Sequence, residues 1–179
     1  MLQVGFSRQV LAVSLGLGLS CAGQAGSLET SGDVLRLALP AAAFGKALLE
    51  EDTEGQKQFL LGFGTNVVTT LALKSAIHKA RPNREDDESF PSGHASVAFQ
   101  AASFLERRYG WAYGAPAYLT AAWVGYTRVE EDEHYWSDVV SGAAIGIISS
   151  YIFTEPLPGV TVAPQAAADS VGINVSARW

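Results

Sequence analysis

The sequence predicts an all-α fold, a bundle of about five or six helices followed by a short irregular or β-hairpin C-terminal tail. Three observations carry this expectation. Five apolar stretches, at 34–49, 59–77, 95–105, 115–127 and 139–153, are rich in Ala, Leu, Val and Gly without the period-two alternation of half-buried strands. The connections between them are short, except for the acidic segments around the motifs described below, and hold neither Gly-rich linkers nor repeats. Alternation appears only past Glu155, where Gly159-Val-Thr-Val and Val171-Gly-Ile-Asn-Val read as the arms of a hairpin. A terminal aromatic after such alternation resembles an outer-membrane strand, but one hairpin closes no barrel. The tail is therefore expected to cap the bundle or hang free.

The elements divide the chain into three parts. Residues 1–25 read as a signal peptide or an N-terminal membrane anchor. Arg8 lies in a short basic region, an apolar run covers 10–19, and small residues lead to Ala25 as a cleavage point. Cys21 admits a lipoprotein signal, although Gly18 is a poor residue three places before it. Either version puts the chain after residue 26 outside the cytoplasm. The helical domain covers 26–154, and the tail covers 155–179. One cysteine excludes a disulfide framework. Twelve basic against 18 acidic residues, a net charge of -6, argue against nucleic acid as a partner.

Phosphate-binding residue types instead recur in three short blocks: Lys74-x6-Arg81-Pro82, Pro91-Ser92-Gly93-His94, and Arg128-x5-His134-x3-Asp138. In the first, 71–81 reads as helix ended by Pro82, so Lys74 and Arg81, seven apart, share a face. Arginine offers a planar fork of donors to phosphate oxygens and lysine a mobile point charge. The plainer reading is a basic solvated helix face. His78 falls on the same face and reads as a packing or rim residue. In the second block Pro91 stiffens a turn, Gly93 lets backbone approach a ligand, and Ser92 caps the helix that follows. The N-terminus of that helix suits an anion. The plainer reading is an ordinary cap with a bystander histidine. In the third, His134 and Asp138 are spaced for contact across one helical turn. A carboxylate on one ring nitrogen would free the other to attack. A surface ion pair is the plainer alternative.

In this order and spacing the blocks resemble the type 2 phosphatidic acid phosphatase family, which shares a superfamily with the vanadium haloperoxidases. The resemblance runs from about Phe59 to Ile152 and includes the small-residue helix after Asp138. One departure is Thr127, where the family usually has Ser; the hydroxyl is kept. The resemblance implies a metal-independent phosphatase with no cofactor. His134 would be the nucleophile, Asp138 would orient its ring, and His94 would serve as acid and then base. Lys74, Arg81, Ser92, Gly93 and Arg128 would bind the phosphate oxygens. One such contact to transition-state charge is worth ~3 kcal/mol.

Two acidic runs, 85–88 and 130–133, sit between these blocks. They read as solvated loops or, more pointedly, as a rim that raises the histidine pKa values, repels multiply charged substrates or recruits a divalent ion. Most apolar stretches fall short of the ~20 residues of a spanning helix, Arg36 and Lys46 interrupt the first, and mean hydropathy is only +0.14. Against that, Arg107-Arg108 follow the third stretch as a cytoplasmic loop would, and spanning helices would put all three blocks on the outer side. The expectation is an enzyme associated with the inner membrane and facing the periplasm, acting on a phosphorylated lipid or another small phosphoester. The alternatives are a soluble periplasmic acid phosphatase, a haloperoxidase, a metal-dependent hydrolase using His78, His94 and His134, and a non-catalytic envelope protein.

Overall fold

The computed structural model describes residues 25–157, 159–167 and 170–178, with side chains for 28–157. The signal or anchor expected over 1–25 falls, apart from Ala25, outside the described residues. Five helices follow in order: α1 (Ala25–Leu49), α2 (Thr53–Ala76), α3 (Gly93–Tyr109), α4 (Trp111–Glu130) and α5 (Trp136–Phe153). Then come β1 (Gly159–Ala167) and β2 (Ser170–Arg178), paired antiparallel from Gly159 opposite Arg178 to Ala167 opposite Ser170. The all-α bundle and the hairpin are both as expected.

Helix α3 is the hub and packs on each of the other four. Its composition allows this: Ala95, Ser96, Ala98, Ala101, Ala102 and Ser103 are all buried, and small side chains admit neighbours on every side. Helix α5 comes closest. A Cβ added at Gly142 would collide with the Ser92 carbonyl, and one at Gly146 with the Ser96 carbonyl. This Gly-x3-Gly spacing keeps both glycines on one face, so backbone meets backbone. Below them Phe104 meets Phe59 edge to face at 5.0 Å, in a core completed by Leu39, Leu105 and Val124.

The surface inverts the usual pattern. Leu37, Leu49, Leu60, Val68, Leu119, Val140 and Ile152 point outward, while Asn66, Gln100, Ser103 and Ser150 are buried. By length and composition, α2 and α5 each qualify as membrane spans. Exposed aromatic rings gather at both ends of the bundle, with Trp123, Tyr126, Tyr135 and Trp136 at one and Trp111, Tyr113 and Tyr151 at the other.

One local expectation fails. The helix predicted over 71–81 stops at Ala76, and Ile77 is already extended. The chain instead makes an isolated bridge between Lys79 and Glu88, with Lys79 N–H donating to Asp87 O (2.9 Å) and Ser89 N–H to Lys79 O (2.9 Å). This loop supplies backbone partners that continuing the helix would have lost. Lys74 and Arg81 therefore do not share a helical face.

Candidate active site

One end of the bundle collects the C-termini of α2 and α4 and the N-termini of α3 and α5. Two positive helix ends thus face the same region, and the last turns of α2 and α4 add Lys74 and Arg128. The loops 77–92 and 131–135 close over it, tied together where Asn83 N–H donates to Asp132 O at 3.0 Å.

Contacts tie several residues of the three blocks to one another or to the loops between them. Lys74 donates to the Glu88 carbonyl, and its side chain lies about where a Cβ on Gly93 would touch it, at 4.0 Å. Ser92 is fully buried and caps α3 through Ala95 N–H (3.4 Å). Its own N–H donates to Asp138 O at 3.0 Å. His134 N–H donates to Arg128 O at 3.1 Å. Arg81 pairs with Glu133, the residue before His134, and with Asp86 at 2.6 Å. The Arg128 guanidinium is almost wholly buried and lies 2.6 Å from Glu131 and 3.6 Å from Asp33.

His134 does not sit within a helix. It precedes the Tyr135 cap of α5, so the expected contact with Asp138 across a helical turn is absent. Its Nδ1 lies 2.6 Å from the Ser89 carbonyl oxygen. A carbonyl only accepts, so Nδ1 carries the proton and Nε2 keeps a free lone pair. Asp138 bonds elsewhere: it accepts from Ser89 Oγ (2.6 Å), Lys79 Nζ (2.5 Å) and Tyr135 N–H (3.1 Å). The direct grip of Asp138 on the ring is thus replaced by a contact through Ser89. The α5 N-terminus competes for this carboxylate and holds it as a cap.

The acidic runs do reach the cradle, but the nucleophile's pKa is not raised as that reading expected. Burial first, then the nearby Lys74 and Arg81 charges, push the His134 pKa down to about 4. The carboxylates face the arginines instead. Arg81 holds Asp86 below the usual carboxylate range, whereas burial pushes the Glu131 carboxyl up despite Arg128 beside it. Glu131 makes an ion pair there without the alignment of a hydrogen bond.

Sequence reasoning missed four contributors. Asp33 of α1 lies 2.7 Å from His94 Nε2. Ser89 and Lys79 bracket Asp138. Gly32 lets α1 approach, since a Cβ there would strike Thr127 Oγ1 and Arg128 Nη2. Thr127 itself is buried, donating its hydroxyl to Val124 O at 2.9 Å. The departure from Ser therefore adds a methyl group within the packed core. His78 is exposed on the loop after α2. Among the described residues, no three His, Cys, Asp or Glu side chains converge as a metal-binding group.

The PAP2 superfamily model matches residues 56–157, and the chain belongs to that superfamily, which contains the type 2 phosphatidic acid phosphatases. A Lipid A 4'-phosphatase of Helicobacter pylori is 32% identical over 138 residues, covering 71% of this chain and 69% of that protein. A Lipid A 1-phosphatase of Porphyromonas gingivalis is 35% identical over 97 residues, 48% of this chain but only 22% of that protein. Among solved structures, Aquifex aeolicus LpxE superposes with a TM-score of 0.53 at 27% identity, covering 67% of this chain and 83% of its own. A phosphatidylglycerolphosphate phosphatase of Bacillus subtilis shares the fold, with a TM-score of 0.59 at 24% identity over 72% of this chain and 74% of its own.

Proposed function

We propose that this protein hydrolyses phosphate esters of membrane lipids through a phosphohistidine on His134, without a metal ion. The observation that carries the reading is the His134 ring, whose Nδ1 donates to the Ser89 carbonyl and leaves Nε2 for attack, beside the Lys74 and Arg81 charges. In the first step Nε2 attacks phosphorus, the ester P–O bond breaks, and His94 gives a proton to the leaving oxygen. In the second, His94 takes a proton from water, the oxygen attacks phosphorus, and the N–P bond breaks to release phosphate. Lys74, Arg81, Arg128 and the Gly93 N–H hold the non-bridging oxygens as their charge grows.

The two cradle arginines, Arg81 and Arg128, rest on carboxylates that a phosphate would replace. Asp33 Oδ1 lies within reach of both His94 Nε2 and the Arg128 guanidinium, a position suited to an anionic substrate oxygen. The apolar exterior and the aromatic rings at both ends support helices that span a bilayer, with the site facing the periplasm and the tail on the opposite side. An apolar cavity of about 320 Å³ between α1 and α4, starting at Leu35 two residues from Asp33, suits an acyl chain. The names of the relatives, lipid A phosphatases among them, support a lipid substrate.

The test is phosphate release by the purified protein from lipid A, phosphatidate, phosphatidylglycerophosphate and soluble phosphomonoesters, with His134→Ala as control and a chelator arm. Turnover of lipid esters that withstands chelator and is lost in His134→Ala is expected. Preference for soluble esters would move the reading to a broad-specificity acid phosphatase. Loss in chelator would overturn the metal-free route.

A further inference from the structure

The Asp138 carboxylate and the His134 ring are joined through one residue outside the three sequence blocks. Ser89 is completely buried at the end of the loop 77–89. Its hydroxyl donates to Asp138 Oδ2 at 2.6 Å, and its carbonyl receives His134 Nδ1–H at 2.6 Å. The other carboxylate oxygen, Oδ1, is held by Lys79 Nζ at 2.5 Å. That ammonium also bonds Ser137 Oγ at 3.0 Å and lies 4.5 Å from the centre of the Tyr135 ring. Lys79 is tied to Ser89 a second time, through Ser89 N–H to Lys79 O at 2.9 Å. Both ends of Ser89 are therefore pinned, and its carbonyl can point only where His134 needs it.

We propose that Ser89 is the positioning residue for the nucleophile, and that Asp138, fixed by Lys79, acts on His134 through it. The inference deepens the phosphatase reading and rests on it. A neutral carbonyl at Nδ1 fixes the tautomer as a carboxylate would, but does not accept the proton when the ring becomes positive. The ring therefore keeps its Nδ1 proton throughout, and Nε2 alone bonds to phosphorus. A neutral acceptor also leaves the phosphohistidine a better leaving group than a carboxylate partner would, which favours its hydrolysis. Asp138 contributes geometry: without it the Ser89 hydroxyl is left unpaired in a buried site, and the carbonyl is free to turn.

The experiment uses the full chain in detergent. Turnover by the wild type against His134→Ala tests the phosphatase reading by itself. The ¹⁵N spectrum of the His134 ring needs no turnover, so failure of the two ideas is told apart. A protonated Nδ1 with unprotonated Nε2 is expected, and the opposite tautomer overturns the proposal. With the wild type active, Ser89→Ala lowers kcat about 10- to 100-fold with KM within about twofold, the scale seen when a group orienting a histidine from behind is lost. Ser89→Thr, which restores a hydroxyl, recovers most of kcat. Because the two residues act in series, adding Ser89→Ala to Asp138→Asn costs no more than about a further twofold. Wild-type kcat in Ser89→Ala, or effects that multiply in the double variant, overturns the series arrangement.

Discussion

The bundle buries an arginine at each end, and the two are used in opposite ways. At the end away from the site, Arg108 grips Asp52 with two donors, at 2.7 and 2.5 Å, and gives a third to Glu155 O at 3.0 Å. Tyr109 adds its hydroxyl to the same carboxylate at 2.9 Å. Both ion-pair side chains are 6% exposed, and the Arg108 contact is the main cause holding the Asp52 pKa down to about 2. At the site end Arg128 is equally buried, at 4%, but it is shared between Glu131 at 2.6 Å, 13% exposed, and Asp33 at 3.6 Å, 48% exposed. The first pair is closed and joins three elements. The second is open, its acids offered from a helix face and a loop. Burial of an arginine therefore says little about its role; what matters is whether its partner can leave.

Four predictions press on that contrast, starting with the largest effect. His134→Ala should lower kcat by about 10⁴-fold or more while leaving the thermal midpoint within a few degrees, as a phosphate-release assay and a melt would check. Arg108→Ala should do the reverse. It strands the buried Asp52 carboxylate, costs about 3–5 kcal/mol of stability, and leaves kcat of the folded fraction within about twofold. If Arg108→Ala instead abolishes turnover at full stability, the division between the two ends is wrong. Arg128→Lys should cut kcat/KM about 100-fold by removing the planar fork, with little change in melting. The smallest effect belongs to the acids: Glu133→Gln frees Arg81 of a competitor and should lower KM about two- to fivefold, in keeping with a partly buried pair.

The pH profile adds a fifth. A His134 pKa of about 4 leaves the ring neutral at physiological pH, so log kcat/KM should fall on the acid side as the pH drops through that folded pKa, while His94, which must be protonated to serve as the acid and whose pKa burial also pushes down to about 4, should add a fall on the alkaline side. Lys74 depresses that pKa through its positive charge. Lys74→Met removes the charge, lets the pKa rise towards 6.5, and should shift the acid limb upward, besides lowering the plateau. An unshifted limb would remove Lys74 from the neighbourhood of the nucleophile.

Much of this was legible in the residue pattern. The apolar stretches marked all five helices because a buried or lipid-facing helix needs a run of apolar residues whatever its partners. Even the hairpin showed in its alternation. The helix assigned to 71–81 failed because Lys79 and Ser89 found backbone partners across a loop, a choice that no local periodicity records. The cap of α3 by Ser92 was readable, since capping is local in sequence. The service of Asp138 as cap and Ser89 partner was not. The four-residue spacing to His134 suggested one helical turn, and the chain instead begins α5 between them.

The order of short loops and antiparallel helices by itself determined that the three blocks meet at one end. Each block lies beside a helix terminus, and successive helices must reverse direction. Only the tertiary structure decided which group faces which. Ser89 meets His134 from 45 positions away and Asp33 meets His94 from 61. Pairings at that range are selected by packing, through glycines such as Gly32, Gly142 and Gly146 that set how closely the helices approach. A sequence carries the donors and acceptors of a site, but their directions follow from backbone positions set by distant contacts.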